Sequence, residues 1–299
     1  MNVSILICGR RPGHLLGVEL AWVYIIMGTM RFFSFSSKRP VLWNVLAVVF
    51  LLPVMNAQTM DRKSRELLDK LESRIGTHER LLEKRDIEVK YVYHSFKNGL
   101  NITRERFIYD GEHSWAEYQT HFLPEYDVTA GTLRQALVHD QPYASIDGEM
   151  LNDAALADNI LLHRRVNFYW MTMLYKLRDP GTHFEYIGTH EENGITYDKV
   201  HLTFDSEVID KKRLDQYVLC FNRDTHMVDL YFWSGGTERA LDRLQKTTVE
   251  HQIIEGVYIP VLRKVYGFAK DGSYELRTVT SYTEVKFNQG FKPSDFELN

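Results

Sequence analysis

Over residues 60–84, Leu67, Leu68, Leu71 and Ile75 recur at helical spacing, and Leu81 and Leu82 continue the pattern after Gly76. That arrangement predicts an amphipathic helix interrupted near the glycine. From Ile87 the period changes to two. IEVKYVYHS (87–95), ITRERFIYD (102–110) and SWAEYQTHF (114–122) are separated by Lys97-Asn98-Gly99 and Asp110-Gly111, which predicts three antiparallel strands joined by tight turns. TLRQALVHD (132–140) and PYASIDGEML (142–151) add two more, with Asp147-Gly148 as a further turn.

Residues 153–177 return to helical spacing, with Asp153 placed as an N-cap. Val166, Trp170, Met173, Leu174 and Leu177 form one stripe, and Phe168, Met171 and Tyr175 form another. Beyond Asn167 this helix has almost no polar face, so it is expected to be buried on several sides. Its apolar stripes serve either a central core helix or the wall of a cavity, and one helix can be both. Arg178-Asp179-Pro180-Gly181 ends it. Strands resume through HFEYIGTHEE (183–192), ITYDKVHLTFD (195–205), a hairpin at 215–233, KTTVEHQIIEG (246–256), YIPVLRKVYGFAKD (258–271) and SYELRTVTSYTEVKFN (273–288). About ten or eleven strands in successive hairpins, without strand–helix–strand alternation, predict a largely antiparallel sheet and an α+β protein.

The hairpin DQYVLCFNRDTHMVDLYFW (215–233) is apolar on both faces. Alternation puts Tyr217, Leu219 and Phe221 on one side and Val218 and Cys220 on the other. In the second strand it groups Met227, Asp229, Tyr231 and Trp233 against Val228, Leu230 and Phe232. A sheet with one wet face would alternate with polar residues, so this hairpin must be covered on both sides or cup something apolar.

The first 57 residues follow a different logic. VLWNVLAVVFLL (41–52), preceded by Arg31, Lys38 and Arg39 and followed by Met55-Asn56-Ala57, has the order of a signal peptide cleaved after Ala57. The apolar run is too short for a comfortable membrane span. Residues 1–29 then read as an over-extended start, with Met30 the better first residue, and 58–299 as a single domain. Without residues 1–57 the chain keeps 31 basic and 39 acidic side chains, a net charge of −8. Such a balance argues against a nucleic-acid partner. Cys220 is left alone, and a lone strand cysteine reads as a small buried hydrophobe. The expected product is exported, periplasmic or secreted, with no stable membrane span after processing.

Chemical signatures are few. No phosphate loop, dinucleotide fingerprint, His-Glu-x-x-His or Gly-x-Ser-x-Gly motif occurs. His183, His190 and His201 with Glu185, Glu191 and Glu192 supply zinc-type ligands without a spacing that gathers them. Asp215 and Asp229, like Asp198 and Asp205, read as rim or edge carboxylates. No catalytic residue, metal or cofactor is therefore expected, and the protein reads as non-enzymatic.

RVNFYWMTMLYKLRDPG (165–181), GITYDKVHLTFD (194–205), the 215–233 hairpin and the ending VKFNQGFKPSDFELN (285–299), behind an export leader and an N-terminal helix, together resemble the LolA-like superfamily of periplasmic lipoprotein carriers. Within it they are most similar to an uncharacterised family of secreted bacterial proteins with that fold. The resemblance spans roughly residues 60–299. It implies a strongly curved antiparallel sheet, an unclosed β-barrel of about eleven strands, with helices on the concave side over an apolar cavity that holds acyl chains in the carrier. This chain departs in being longer and in offering no arginine that matches the carrier's gating residue, which puts lipoprotein transport itself in doubt. Two functions follow as expectations. In the first, the cavity takes a lipid, a lipoprotein acyl chain or another apolar ligand against Phe168, Trp170, Met171, Met173 and Tyr175, since aromatic and Met side chains suit adaptable apolar binding. In the second, the core is filled and the fold is an interaction module for an envelope protein partner.

Overall fold

The structure, a computed structural model, describes residues 58–126, 131–209, 215–236 and 239–298. The leader and signal peptide read from residues 1–57 lie outside the described residues.

Asp61 opens the first helix, α1 (Arg62–Ile75), by accepting hydrogen bonds from the backbone N–H (2.9 Å) and hydroxyl (2.7 Å) of Ser64. Gly76 closes it at φ 90°, in the left-handed region that favours glycine, with its N–H on the Glu72 carbonyl. A short helix, α2 (His78–Leu82), follows, which is the interruption expected near Gly76. Six strands come next: β2 (Asp86–Ser95), β3 (Gly99–Ile108), β4 (His113–Thr120), β5 (Leu133–Val138), β6 (Gln141–Ile146) and β7 (Glu149–Met150); β1 (Thr59–Met60) precedes α1. Helix α3 (Ala154–Thr172), capped by Asp153 onto the Ala155 N–H at 2.8 Å, tightens into a 3₁₀ turn over Met173–Lys176. Then come β8 (Thr182–Glu192), β9 (Ile195–Phe204), β10 (Gln216–Asn222), β11 (Val228–Ser234), β12 (Gln245–Ile254), β13 (Val257–Phe268) and β14 (Tyr274–Phe287).

These strands form one sheet in the order β1-β8-β9-β10-β11-β12-β13-β14-β2-β3-β4-β5-β6-β7. All neighbours are antiparallel except β1 and β8. Two meanders, β2–β7 and β8–β14, are stitched by the β14–β2 pair, and α3 carries the chain from one to the other. Because β1 and β7 do not pair, the barrel is unclosed. The fourteen strands among the described residues exceed the expected eleven chiefly because β1 and β7 are two residues long, too short for a period of two to register.

Curvature follows from what α3 touches. Phe168 packs edge-on against Phe107 of β3, while Trp170, two residues on, meets Tyr217 of β10 and Trp233 of β11. β3 and β10 are six strands apart, which in a flat sheet would separate them by roughly 29 Å. The sheet therefore curls around the helix. On this concave side, Leu67, Leu68, Leu71 and Ile75 of α1 join residues 168–171 of α3 in the main core cluster. This curled, open, largely antiparallel sheet with helices inside it is the LolA-like architecture that the resemblance implies.

Both faces of the 215–233 hairpin are covered. Tyr217, Leu219, Phe221, Tyr231 and Trp233 enter the main core, whereas Val218, Cys220 and Leu230 pack outside under Leu244 with Tyr197. The second strand departs from simple alternation. Cys220 pairs with Leu230 and Phe221 with Val228, so Asp229 is the extra residue of a β-bulge. Val228 turns inward, away from Leu230 and Phe232, while Asp229 accepts a hydrogen bond from Asn222 Nδ2 at 3.0 Å. At the other end of the sheet Phe296, completely buried, packs with Ile108, Trp115, Ala136 and Val138, anchoring the C-terminal tail.

One polar contact fixes the first half of α3. Arg164 and Glu105 of β3 are both fully buried, with Nη1 to Oε2 at 2.6 Å and Nη2 to Oε1 at 3.2 Å. Asn167 Nδ2 and Thr103 Oγ1 each donate to Glu105 Oε1 at 2.9 Å, and Arg164 Nη2 donates to the Tyr118 hydroxyl at 3.3 Å. A charge pair this deep survives because both guanidinium ends and the carboxylate are bonded, with only Arg164 Nε left without a partner.

Candidate functional cleft

The C-terminal half of α3 and its 3₁₀ turn face β11–β13 across a narrow cleft. Trp170, Met171, Met173, Leu174 and Tyr175 form the helical wall, and Tyr231, Val249, Tyr258 and Arg263 contribute from the strands. Four of the five residues expected to bind an apolar ligand thus share one wall. Phe168 instead points into the core against Phe107 and Tyr109, and does not line the cleft. The cavity is only about 20 Å³, space for about one water, so the cleft is closed in this conformation.

Trp170 is the centre of the wall. It stacks on Tyr231 with ring centroids 5.8 Å apart and meets Trp233 edge-on at 5.4 Å. Tyr175 ties the end of the wall to the sheet, its hydroxyl accepting from the Tyr258 N–H at 3.0 Å. At this end the cover is held by ring packing and a tyrosine hydrogen bond, whereas the other end is pinned by the buried Arg164–Glu105 pair.

Arg263 is the residue that sequence reasoning missed. Only 6% exposed, its guanidinium lies 4.3 Å from the Trp170 ring centroid, a desolvated cation–π contact. Among the described residues no carboxylate pairs with it, and its Nε has no hydrogen-bond partner. Its strand neighbour Thr280 and the nearby Tyr282 also keep buried hydroxyls without partners. Tyr282 stacks on Tyr91 at 4.8 Å, and burial pushes both phenols well up. Burial likewise raises Tyr231 to about 12, with Arg263 beside it pulling the other way. A signal for Arg263 was present: Val261, Arg263 and Val265 alternate on β13, and both valines pack on the main core.

His251 borders the same cleft where the β12–β13 register shifts. Burial pushes its imidazole down to about 4. Between pH 6.5 and 4 the unfolded chain binds a proton at this site that the folded protein refuses, so acidification favours unfolding. His251→Gln removes that penalty. Chemical denaturation at pH 7 and pH 4.5 should show wild type losing about 1–2 kcal/mol more than the variant, after allowance for partial exposure; equal losses would exclude the effect.

The other sequence candidates do not converge. His183 meets the Thr59 hydroxyl, His190 lies 3.3 Å from Glu192, and His201 lies 3.4 Å from Gln216. Asp215 accepts from the Gly236 N–H and Asp229 from Asn222, so the two carboxylates serve separate turns. Asp198 takes Arg223 at 2.8 Å and the Tyr186 hydroxyl at 2.9 Å. Asp198 and Arg223 border a larger cavity of about 270 Å³ between α1 and the 222–226 turn. Lys63, Lys70 and Arg223 line it, which makes it a largely charged groove. Cys220 is buried on the outer face, where burial pushes its thiol well up and leaves it unreactive. Among the described residues no helix is long and apolar enough to cross a membrane.

No family model and no curated protein matches the chain. Solved structures of similar fold include a DUF1329 family protein from Desulfovibrio piger, 12% identical, covering 78% of this chain and 96% of that one with a TM-score of 0.49. A putative outer membrane lipoprotein-sorting protein domain from Vibrio parahaemolyticus is 9% identical over 78% and 95%, with a TM-score of 0.43. A LolA superfamily protein from Nitrosomonas europaea is 12% identical over 74% and 97%, with a TM-score of 0.41. At these levels the likeness is one of fold and does not extend to ligand or activity.

Proposed function

We propose that the chain is a non-enzymatic, exported protein that binds an apolar molecule such as an acyl chain between the C-terminal half of α3 and strands β11–β13. The observation that carries this reading is the make-up of the cleft wall: Trp170, Met171, Met173 and Tyr175 stand together against Tyr231 and Val249. Thioether and aromatic side chains repack around an apolar guest at little cost. At about 20 Å³ the closed cleft must widen to admit a chain, and the end of the cover beyond Thr172 is the part that yields. Export to the envelope rests on the charged, apolar and small-residue order of residues 31–57.

Protein purified gently from cells expressing the full chain should carry a stoichiometric apolar molecule in native mass spectrometry, released by organic extraction. Clean apo protein that also refuses added oleyl alcohol would overturn the proposal. That result would favour the interaction module, for which the closed cleft is the supporting observation.

A further inference from the structure

A cation removed from water needs compensation, because desolvation costs several kcal/mol for a buried ion. Elsewhere in this fold the compensation is explicit: Arg164 has Glu105, Arg178 has Glu72 at 2.9 Å, and Arg106 has Glu88 at 2.8 Å. Arg263 has the Trp170 ring and no carboxylate among the described residues. Arginine does not shed its proton in proteins, so it stays charged in the cleft. Around it stand the hydroxyls of Thr280 and Tyr282, both buried and without partners. A buried cation with its Nε donor unused, on a wall that is mostly Met and aromatic, is the beginning of an oxyanion site.

We infer that the molecule held in this cleft is an acidic amphiphile, with its carboxylate on Arg263 and its hydrocarbon chain along the Met and aromatic face of α3. This deepens the apolar-ligand reading and rests on it. An anion here would pair the guanidinium while the chain takes the place of side-chain contacts between α3 and β11–β13. Thr280 and Tyr282 would complete the oxygen shell as hydroxyl donors. A neutral lipid would leave all three groups as they are now, with the Trp170 ring and the surrounding tyrosines as the cation's compensation.

The test compares oleate with oleyl alcohol as displacers of N-phenylnaphthylamine from the delipidated full-length protein, with inorganic phosphate as a head-only control. Wild type should bind oleate at least about tenfold more tightly than oleyl alcohol, the weight of one charge-assisted hydrogen bond. Phosphate alone should not displace the probe. Arg263→Met should lose that preference, oleate binding no more tightly than oleyl alcohol; Arg263→Lys, which keeps the charge, should retain part of it. Equal affinity of wild type for the two ligands would overturn the inference and leave the apolar-ligand reading standing, and this comparison holds even if the Met variant fails to fold. Unchanged oleate binding by a folded Arg263→Met protein would overturn it as well, as would displacement by phosphate alone, which marks a small-anion site. Rejection of both ligands by wild type would remove the apolar-ligand reading and this inference with it.

Discussion

Glu105→Ala should lose about 3–5 kcal/mol of folding stability, the loss typical of leaving one partner of a buried ion pair uncompensated. Removal of the carboxylate strands Arg164, whose side chain has no exposed surface, and withdraws the acceptor used by Thr103 and Asn167. The Tyr118 hydroxyl is the one remaining side-chain partner for the guanidinium. Urea denaturation followed by far-UV circular dichroism measures the loss. The double variant Glu105→Ala/Arg164→Met separates charge from packing: it should recover a substantial part of the stability, because an apolar pair no longer has to be solvated in the core. A single variant within 1 kcal/mol of wild type would mean that water reaches the site and that the pair does not pin α3.

Trp170→Ala carries the second large expected effect, about 3–5 kcal/mol by the usual cost of deleting a large buried aromatic side chain. Its ring contacts Tyr169, Tyr217, Tyr231 and Trp233, and it is also the cation–π partner of Arg263. The residual cavity would lie beside a guanidinium that has just lost its cation–π partner. Trp170→Phe should recover more than half of the loss by restoring an aromatic face. Differential scanning calorimetry of the three proteins decides it; a Phe variant as damaged as the Ala variant would show that the ring's size, and not its face, holds the cover down.

How far the chain could be read beforehand depended on the scale of each signal. Hairpins announced themselves because Asn98-Gly99, Asp110-Gly111 and Asp147-Gly148 punctuate runs of period two, and Asp153 marked the start of α3 correctly. The bulge at Asp229 was invisible, since alternation assumes an unbroken ladder, and it reassigned Val228 and Asp229 to opposite faces from those expected. Apolar stripes identified α3 as a buried helix and named four cleft residues. They also named Phe168, because a helix enclosed on several sides does not reveal which stripe meets which strand. Arg164 and Arg263 were passed over for a shared reason. On a linear chain an arginine reads as solvent-facing, and only the fold shows Glu105 waiting beside one and, among the described residues, no carboxylate beside the other.

The seam between β14 and β2 bears on how the protein folds. Almost every other strand pair joins neighbours in the chain, so each meander can form from local hairpins. The seam instead sets Tyr91 opposite Tyr282 and Tyr93 opposite Thr280, and such distant pairing is slow because loop-closure entropy is lost before contacts repay it. Thr280 and Tyr282 arrive with the second meander, but the Tyr91 ring that stacks on Tyr282 comes from the first. The surroundings of Arg263 are therefore completed only when the two meanders dock, which places the cleft beneath α3 among the last parts of the molecule to mature.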